Sequence, residues 1–166
     1  MDTGSINLSG DETFHLDSNR KLPEYYVERI ENCITVDAVR EALDPVMDMI
    51  NEYLVRYESS PKVMSEIRLA VEEIFENICS YAYEPGRGKV RIMCSVVEDG
   101  SVISIRFSDT GIPFNPLSKE APDTTGKQFE EREGGFGIHL VKSVMDEVSY
   151  EYQNGMNILK IKRLLK

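Results

Sequence analysis

Apolar positions along the chain follow two rhythms. Advancing about 100° per residue from Ile67, Val71, Ile74, Phe75, Ile78, Tyr81 and Ala82 fall on one arc, and Val63, Met64 and Ala70 join it. This predicts an amphipathic helix that starts at Ser59-Ser60-Pro61 and runs to about Tyr83, where EPGRG breaks it. A second helical pattern begins at Thr35, with Val36, Val39, Leu43, Val46, Met47, Ile50 and Leu54 as its stripe. Pro45 lies inside it, so either the helix kinks there or Asp44 caps a new helix with Pro45 at its first position. The glycines of GGFG open a third helix, whose stripe is Ile138, Val141, Val144 and Met145.

Alternation is the other rhythm. Val90, Ile92, Cys94 and Val96 form one arm of a hairpin, Asp99-Gly100 the turn, and Val102 to Phe107 the other arm. VSYEYQ and MNILKIKRLL, joined by Asn154-Gly155, predict a second hairpin. YYVERIENCI carries enough β-branched and aromatic residues for a first strand. Strands joined by hairpins imply a mostly antiparallel or mixed sheet, and the helices must cover one face of it. The predicted class is α+β, a two-layer sandwich, and not a doubly wound nucleotide fold.

Composition narrows the function. At 166 residues the chain fits one domain with a core of its own. Residues 1–23 are polar and without periodicity and read as a mobile arm, leaving 24–166 as the folded domain. A net charge of −10 argues against a nucleic-acid footprint; it suits a protein partner with a basic patch, or plain solubility. No apolar run reaches the ~18 residues of a membrane span, and the N-terminal stretch has no apolar signal core. Cys33, Cys79 and Cys94 are odd in number and scattered, as reduced thiols in a cytoplasmic protein would be. His15 and His139 are too few for a histidine-based metal site.

Three features carry candidate chemistry. Glu73 and Asn77 sit one turn apart at the margin of the buried arc, whereas Glu72 and Glu76 lie on the opposite, solvated side. A pair that merely snorkels to solvent would look the same. An Asn oxygen suits Mg²⁺, and a Glu beside it could orient or deprotonate a nucleophile. Asp109 leaves the alternation where its strand ends, in SDTGIPFNP. A carboxylate there can accept from the exocyclic amine of a purine while Gly111 lets backbone approach the ring; a turn that only stops the strand is the plainer alternative. Finally, the glycines before the third helix free backbone N–H groups at its positive end, an anion site, but form neither a Walker A loop nor a dinucleotide fingerprint.

In this order, with the long polar loop PLSKEAPDTTGKQFEERE between the second and third features, the chain resembles the GHKL ATPase superfamily. It is most similar to the single-domain anti-sigma factor serine/threonine kinases of bacteria. The resemblance covers roughly Tyr26 to Lys162 and implies the Bergerat, histidine-kinase-like ATPase fold. It implies roles as well: Glu73 of E-x-x-x-N as general base, Asn77 as the Mg²⁺ ligand, and Asp109 of D-x-G as the adenine contact. Gly111, Ile112 and Ile138 would line the nucleotide, the backbone of Gly135, Phe136 and Gly137 would meet the phosphates, and the preceding loop would act as a lid. Two positions depart from the family pattern. Pro113 replaces a second glycine and should stiffen the adenine side, and Asn157 stands near the place of a Thr in the terminal hairpin, where it could serve as the polar partner of Asp109.

The function so implied is ATP·Mg²⁺-dependent phosphorylation of an anti-anti-sigma (STAS-type) partner by a protein that also sequesters a sigma factor, and so regulates transcription. A homodimer is common in the family. The competing reading is a regulatory module that binds ATP without turnover and would not need Glu73. A detached histidine-kinase catalytic domain fits less well, since His15 sits in the polar arm with no helical hairpin.

Overall fold

A computed structural model describes residues 24–83, 85–97, 99–118 and 136–166. The elements run β1 (Val27–Ile30), β2 (Cys33–Asp37), a 3-10 turn at Arg40–Ala42, α1 (Leu43–Arg56) and α2 (Pro61–Tyr81). They continue with β3 (Lys89–Val97), β4 (Val102–Asp109), a 3-10 turn at Pro116–Ser118, α3 (Phe136–Val144), β5 (Glu147–Gln153) and β6 (Met156–Leu164). Among the described residues, the six strands form one sheet in the order β1-β2-β3-β4-β6-β5, every pairing antiparallel.

Alternation determines which face is covered. Cys94, Ile105 and Ile161 lie side by side across β3, β4 and β6, as do Ile92, Phe107 and Leu159. These residues share one core with Met49 and Ile50 of α1, Ile67, Val71 and Phe75 of α2, and Ile138 and Val141 of α3. The intervening positions, among them Arg91, Ser95, Arg106 and Lys160, point to the other face, so the molecule is two layers deep.

Local chemistry explains the clearest boundaries. Ser60 caps α2, its hydroxyl accepting from the Val63 N–H at 3.3 Å, and Pro61 occupies the first helical position. Asn154 and Gly155 both hold positive φ, 53° and 77°, as a two-residue turn between β5 and β6 requires.

The N-terminal third differs from its sequence pattern. The expected single strand is a hairpin: β1 turns at Glu31 (φ 49°) and returns as β2. Thr35 and Val36, assigned to a helix by their spacing, are strand residues, with Val36 buried in the core beside Ile34. The helix begins eight residues later. Neither alternative for Pro45 holds: it is the third residue of one continuous helix, where no intrahelical N–H is needed. Cys33 and Cys94 are buried and Cys79 is half-buried, all as free thiols.

Candidate functional site

The end of β4, the C-terminal half of α2 and the β5–β6 hairpin enclose a cleft of about 290 Å³. Ile74 and Ile78 of α2, Ile112 and Phe114 after β4, Ile138 of α3 and Leu159 of β6 give it apolar walls. Asp109 and Asn157 supply polar groups within it, and Asn77 lines its α2 side. Apolar walls with a few fixed polar groups suit a planar heteroaromatic ligand.

Sheet register builds the polar centre. Asp109 and Asn157 are directly paired across β4 and β6, and each is only 7% exposed. Buried polar groups need partners, and these have them. Asn157 Nδ2 donates to Asp109 Oδ1 at 2.9 Å and to the Ile112 carbonyl at 3.1 Å. Asn157 Oδ1 accepts from the Phe114 N–H at 3.1 Å and from the Tyr150 hydroxyl at 2.7 Å. Asp109 Oδ1 also accepts the Gly111 N–H at 2.9 Å. Among the described residues, the Gly111 and Asn157 bonds to this carboxylate both end on Oδ1.

The turn after Asp109 is fastened to α2 as well. The Ile112 N–H donates to the Ala82 carbonyl at 2.8 Å, and the Thr110 N–H donates to the Tyr83 hydroxyl at 3.0 Å. Gly111 is required by this approach: a Cβ there would run into the Ala82 carbonyl.

Glu73 lies one turn before Asn77 but outside the cleft lining, against the first turn of α3. A Cβ on Gly137 would collide with Glu73 Oε2, so the glycine lets α3 sit against this carboxylate. Burial, reinforced by the Glu76 and Glu72 charges, raises the Glu73 pKa above the ordinary carboxylate value. Glu72 is exposed, as its helical position implies, and Glu76 is partly exposed.

The structure therefore brings Asn77, Asp109, Ile112, Ile138 and Asn157 to one cleft and sets Glu73 beside Gly137 at its edge. Gly111 shapes the turn without lining the cleft. Gly135 lies outside the described residues, and Phe136 is placed only as the start of α3. The arm at 1–23 and most of the loop assigned as a lid, from 119 onward, likewise lie outside them. Tyr81 was expected to be buried; it is 44% exposed and lines the cleft. Sequence reading missed Tyr150, although its alternation with Val148 placed it on the covered face.

This arrangement has relatives. The family model for the histidine kinase-like ATPase domain matches residues 36–163. The chain belongs to this family. A histidine kinase-like ATPase domain implies ATP binding, and the cleft is where its polar and apolar groups converge. The chain is similar to a serine-protein kinase RsbW of Bacillus mycoides, 30% identical over 103 residues, which is 60% of this chain and 63% of that protein. A serine-protein kinase RsbW of Bacillus cereus is 29% identical over 101 residues, with the same shares covered. The match thus spans less than two thirds of these curated relatives. A crystal structure of the RsbU and RsbW domains of a Mycobacterium tuberculosis protein shares the ATPase-domain fold, with a TM-score of 0.54 at 15% identity, over 80% of this chain and 32% of that one. Among the described residues, no helix is long and apolar enough to cross a membrane.

Proposed function

We propose that this ATPase-family domain is a protein serine/threonine kinase. It binds ATP with Mg²⁺, transfers the γ-phosphoryl group to an anti-anti-sigma (STAS-type) partner and sequesters a sigma factor. The observation that carries the reading is the buried Asp109 carboxylate, held on one oxygen in an apolar-walled cleft that Asn77 also lines. Oδ2 of Asp109 accepts from the adenine amine, and the apolar walls take the two faces of the ring. Its similarity to serine-protein kinases supports the choice of hydroxyl acceptor. The sigma-factor and STAS-type partners rest on the E-x-x-x-N, D-x-G and glycine-box resemblance.

Among the described residues, no cluster of three or more His, Cys, Asp or Glu side chains could hold a metal alone. The Asn77 side-chain oxygen on the cleft wall fits Mg²⁺, which keeps several waters and takes one or two protein oxygens besides the phosphates. Asn77 Oδ1 would be its ligand from this chain, and the ion would supply neutralisation of the developing phosphate charge. Glu73 would accept the proton of the incoming hydroxyl; its raised pKa brings it nearer to working pH than an exposed carboxylate. Asn77 would hold the metal in register with the phosphates, and Glu73 would orient the nucleophile.

One observation favours a second reading, an ATP-binding module without turnover: Glu73 packs against Gly137 outside the cleft lining. Incubation with γ-labelled ATP and a candidate STAS-type partner separates the two. The kinase reading expects phosphoserine or phosphothreonine on the partner, and transfer reduced about 10²-fold or more in Glu73→Ala, with ATP affinity within a few fold of wild type. No transfer by the wild type while ATP binds decides for the module, and wild-type transfer by Glu73→Ala keeps the kinase but removes Glu73 as its base.

A further inference from the structure

Asn157 cannot both hold Asp109 and contact a ligand. A side-chain amide has two donor and two acceptor positions. Its Nδ2 protons go to Asp109 Oδ1 and to the Ile112 and Gly111 carbonyls, and its Oδ1 lone pairs take the Phe114 N–H and the Tyr150 hydroxyl. With every position filled and 7% of the residue exposed, it acts on a ligand only through what it holds.

Four of those five partners belong to the segment from Asp109 to Phe114, which is the part that would read the base. Tyr150 is the fifth. It stands on β5, paired with Leu159 of β6, and its 2.7 Å hydroxyl bond is the shortest of the five. Without it, the torsion of the Asn157 amide is set by the very turn that the amide is meant to fix. With it, the amide is referred to the β5–β6 ladder, and Asp109 Oδ1 is held at one angle. Oδ2 then has a fixed direction into the cleft.

We propose that Tyr150 is a positioning residue for base recognition, setting the direction of the Asp109 carboxylate through the Asn157 amide. The inference rests on the reading of Asp109 as the adenine contact. A donor amine at the purine 6-position meets a fixed acceptor; a carbonyl there meets repulsion. The sharpness of that discrimination depends on how little the carboxylate can turn away.

Calorimetric affinities for ATP and GTP, measured on the wild type, Tyr150→Phe and Tyr152→Phe, test it. Phenylalanine keeps the ring that lines the cleft and removes only the hydroxyl. Tyr152, two residues on and 49% exposed, is the control. The wild type should prefer ATP, Tyr150→Phe should lower the ATP-to-GTP affinity ratio roughly five-fold, the worth of one such hydrogen bond, and Tyr152→Phe should keep it. A general loosening of the fold would weaken both nucleotides alike and leave the ratio unchanged. A wild-type preference that survives in Tyr150→Phe overturns this inference alone. A wild type without preference for ATP overturns the adenine reading of Asp109, and the inference with it.

Discussion

Gly137→Ala probes the contact between α3 and the residue assigned as base. Position 137 is the second residue of α3, where alanine is favoured over glycine by up to about 1 kcal/mol of helix propensity. Against this, the new Cβ meets Glu73 Oε2, while Cδ lies 3.3 Å and the Glu73 Cβ 3.6 Å away. The neighbour is the far end of a flexible side chain, so the collision is relieved by swinging the carboxylate away, at roughly 0.5–1.5 kcal/mol for a distorted rotamer. The two effects nearly cancel, and the unfolding free energy should stay within about 1 kcal/mol of wild type. Catalysis should not be spared. A carboxylate displaced by an ångström or more loses its aim at the incoming hydroxyl, which costs on the order of 10² in rate. Transfer of labelled phosphate to the STAS-type partner should therefore fall about a hundredfold, with ATP affinity within a few fold of wild type. In Glu73→Ala the colliding oxygen is gone and the nearest remaining side-chain atom is at ordinary van der Waals distance. There Gly137→Ala should add no further loss of transfer and should be more stabilising than in the wild type, a coupling that urea denaturation of the four proteins measures. Equal effects of Gly137→Ala with and without Glu73, on transfer and on stability alike, would refute the contact.

Other perturbations follow from the same geometry. Asp109→Asn should weaken ATP binding about tenfold or more by calorimetry, since a hydrogen bond to a buried carboxylate is worth roughly 1.5–3 kcal/mol; unchanged affinity removes the adenine contact. Gly111→Ala should lower the urea midpoint by the equivalent of about 2 kcal/mol, because the obstructing atom is the Ala82 backbone carbonyl and cannot rotate away. Asn77→Ala should abolish most of the magnesium enhancement of ATP binding, and a response to magnesium as in wild type would reduce this residue to helix-edge polarity. The raised pKa of Glu73 means that the folded state holds its proton more tightly than the unfolded state does. Its contribution to stability is therefore present in acid and lost as pH rises through the folded-state value. Glu73→Gln should be more stable than wild type at pH 7, by less than about 1 kcal/mol because water still reaches the group, and the advantage should vanish near pH 4 in parallel thermal melts.

Much of this molecule is legible from local pattern. Alternation from Val90 to Phe107 is enough for the β3–β4 hairpin, and Ser60-Pro61 marks the start of α2 because a hydroxyl cap and a proline without N–H both satisfy a helix N-terminus. The margin position of Glu73 and Asn77 follows from helical geometry alone. Where local signals compete, the pattern misleads: Val36 fits a helical stripe with Val39 and Leu43, yet its pairing with Val27 and Val90 puts it in the sheet. The turn at Glu31-Asn32 carries no glycine to announce it. The site itself depends on long-range pairing. β6 enters between β4 and β5, and only this register sets Asn157 opposite Asp109, 48 positions away in the chain, with the Tyr150 hydroxyl bonded to Asn157. Likewise, nothing in E-x-x-x-N or in the glycine box says that Glu73 will abut Gly137; that contact exists because α2 and α3 pack side by side on the covered face. Periodicity records which way a side chain points within its own element, whereas the partner it meets depends on how the elements are laid against one another.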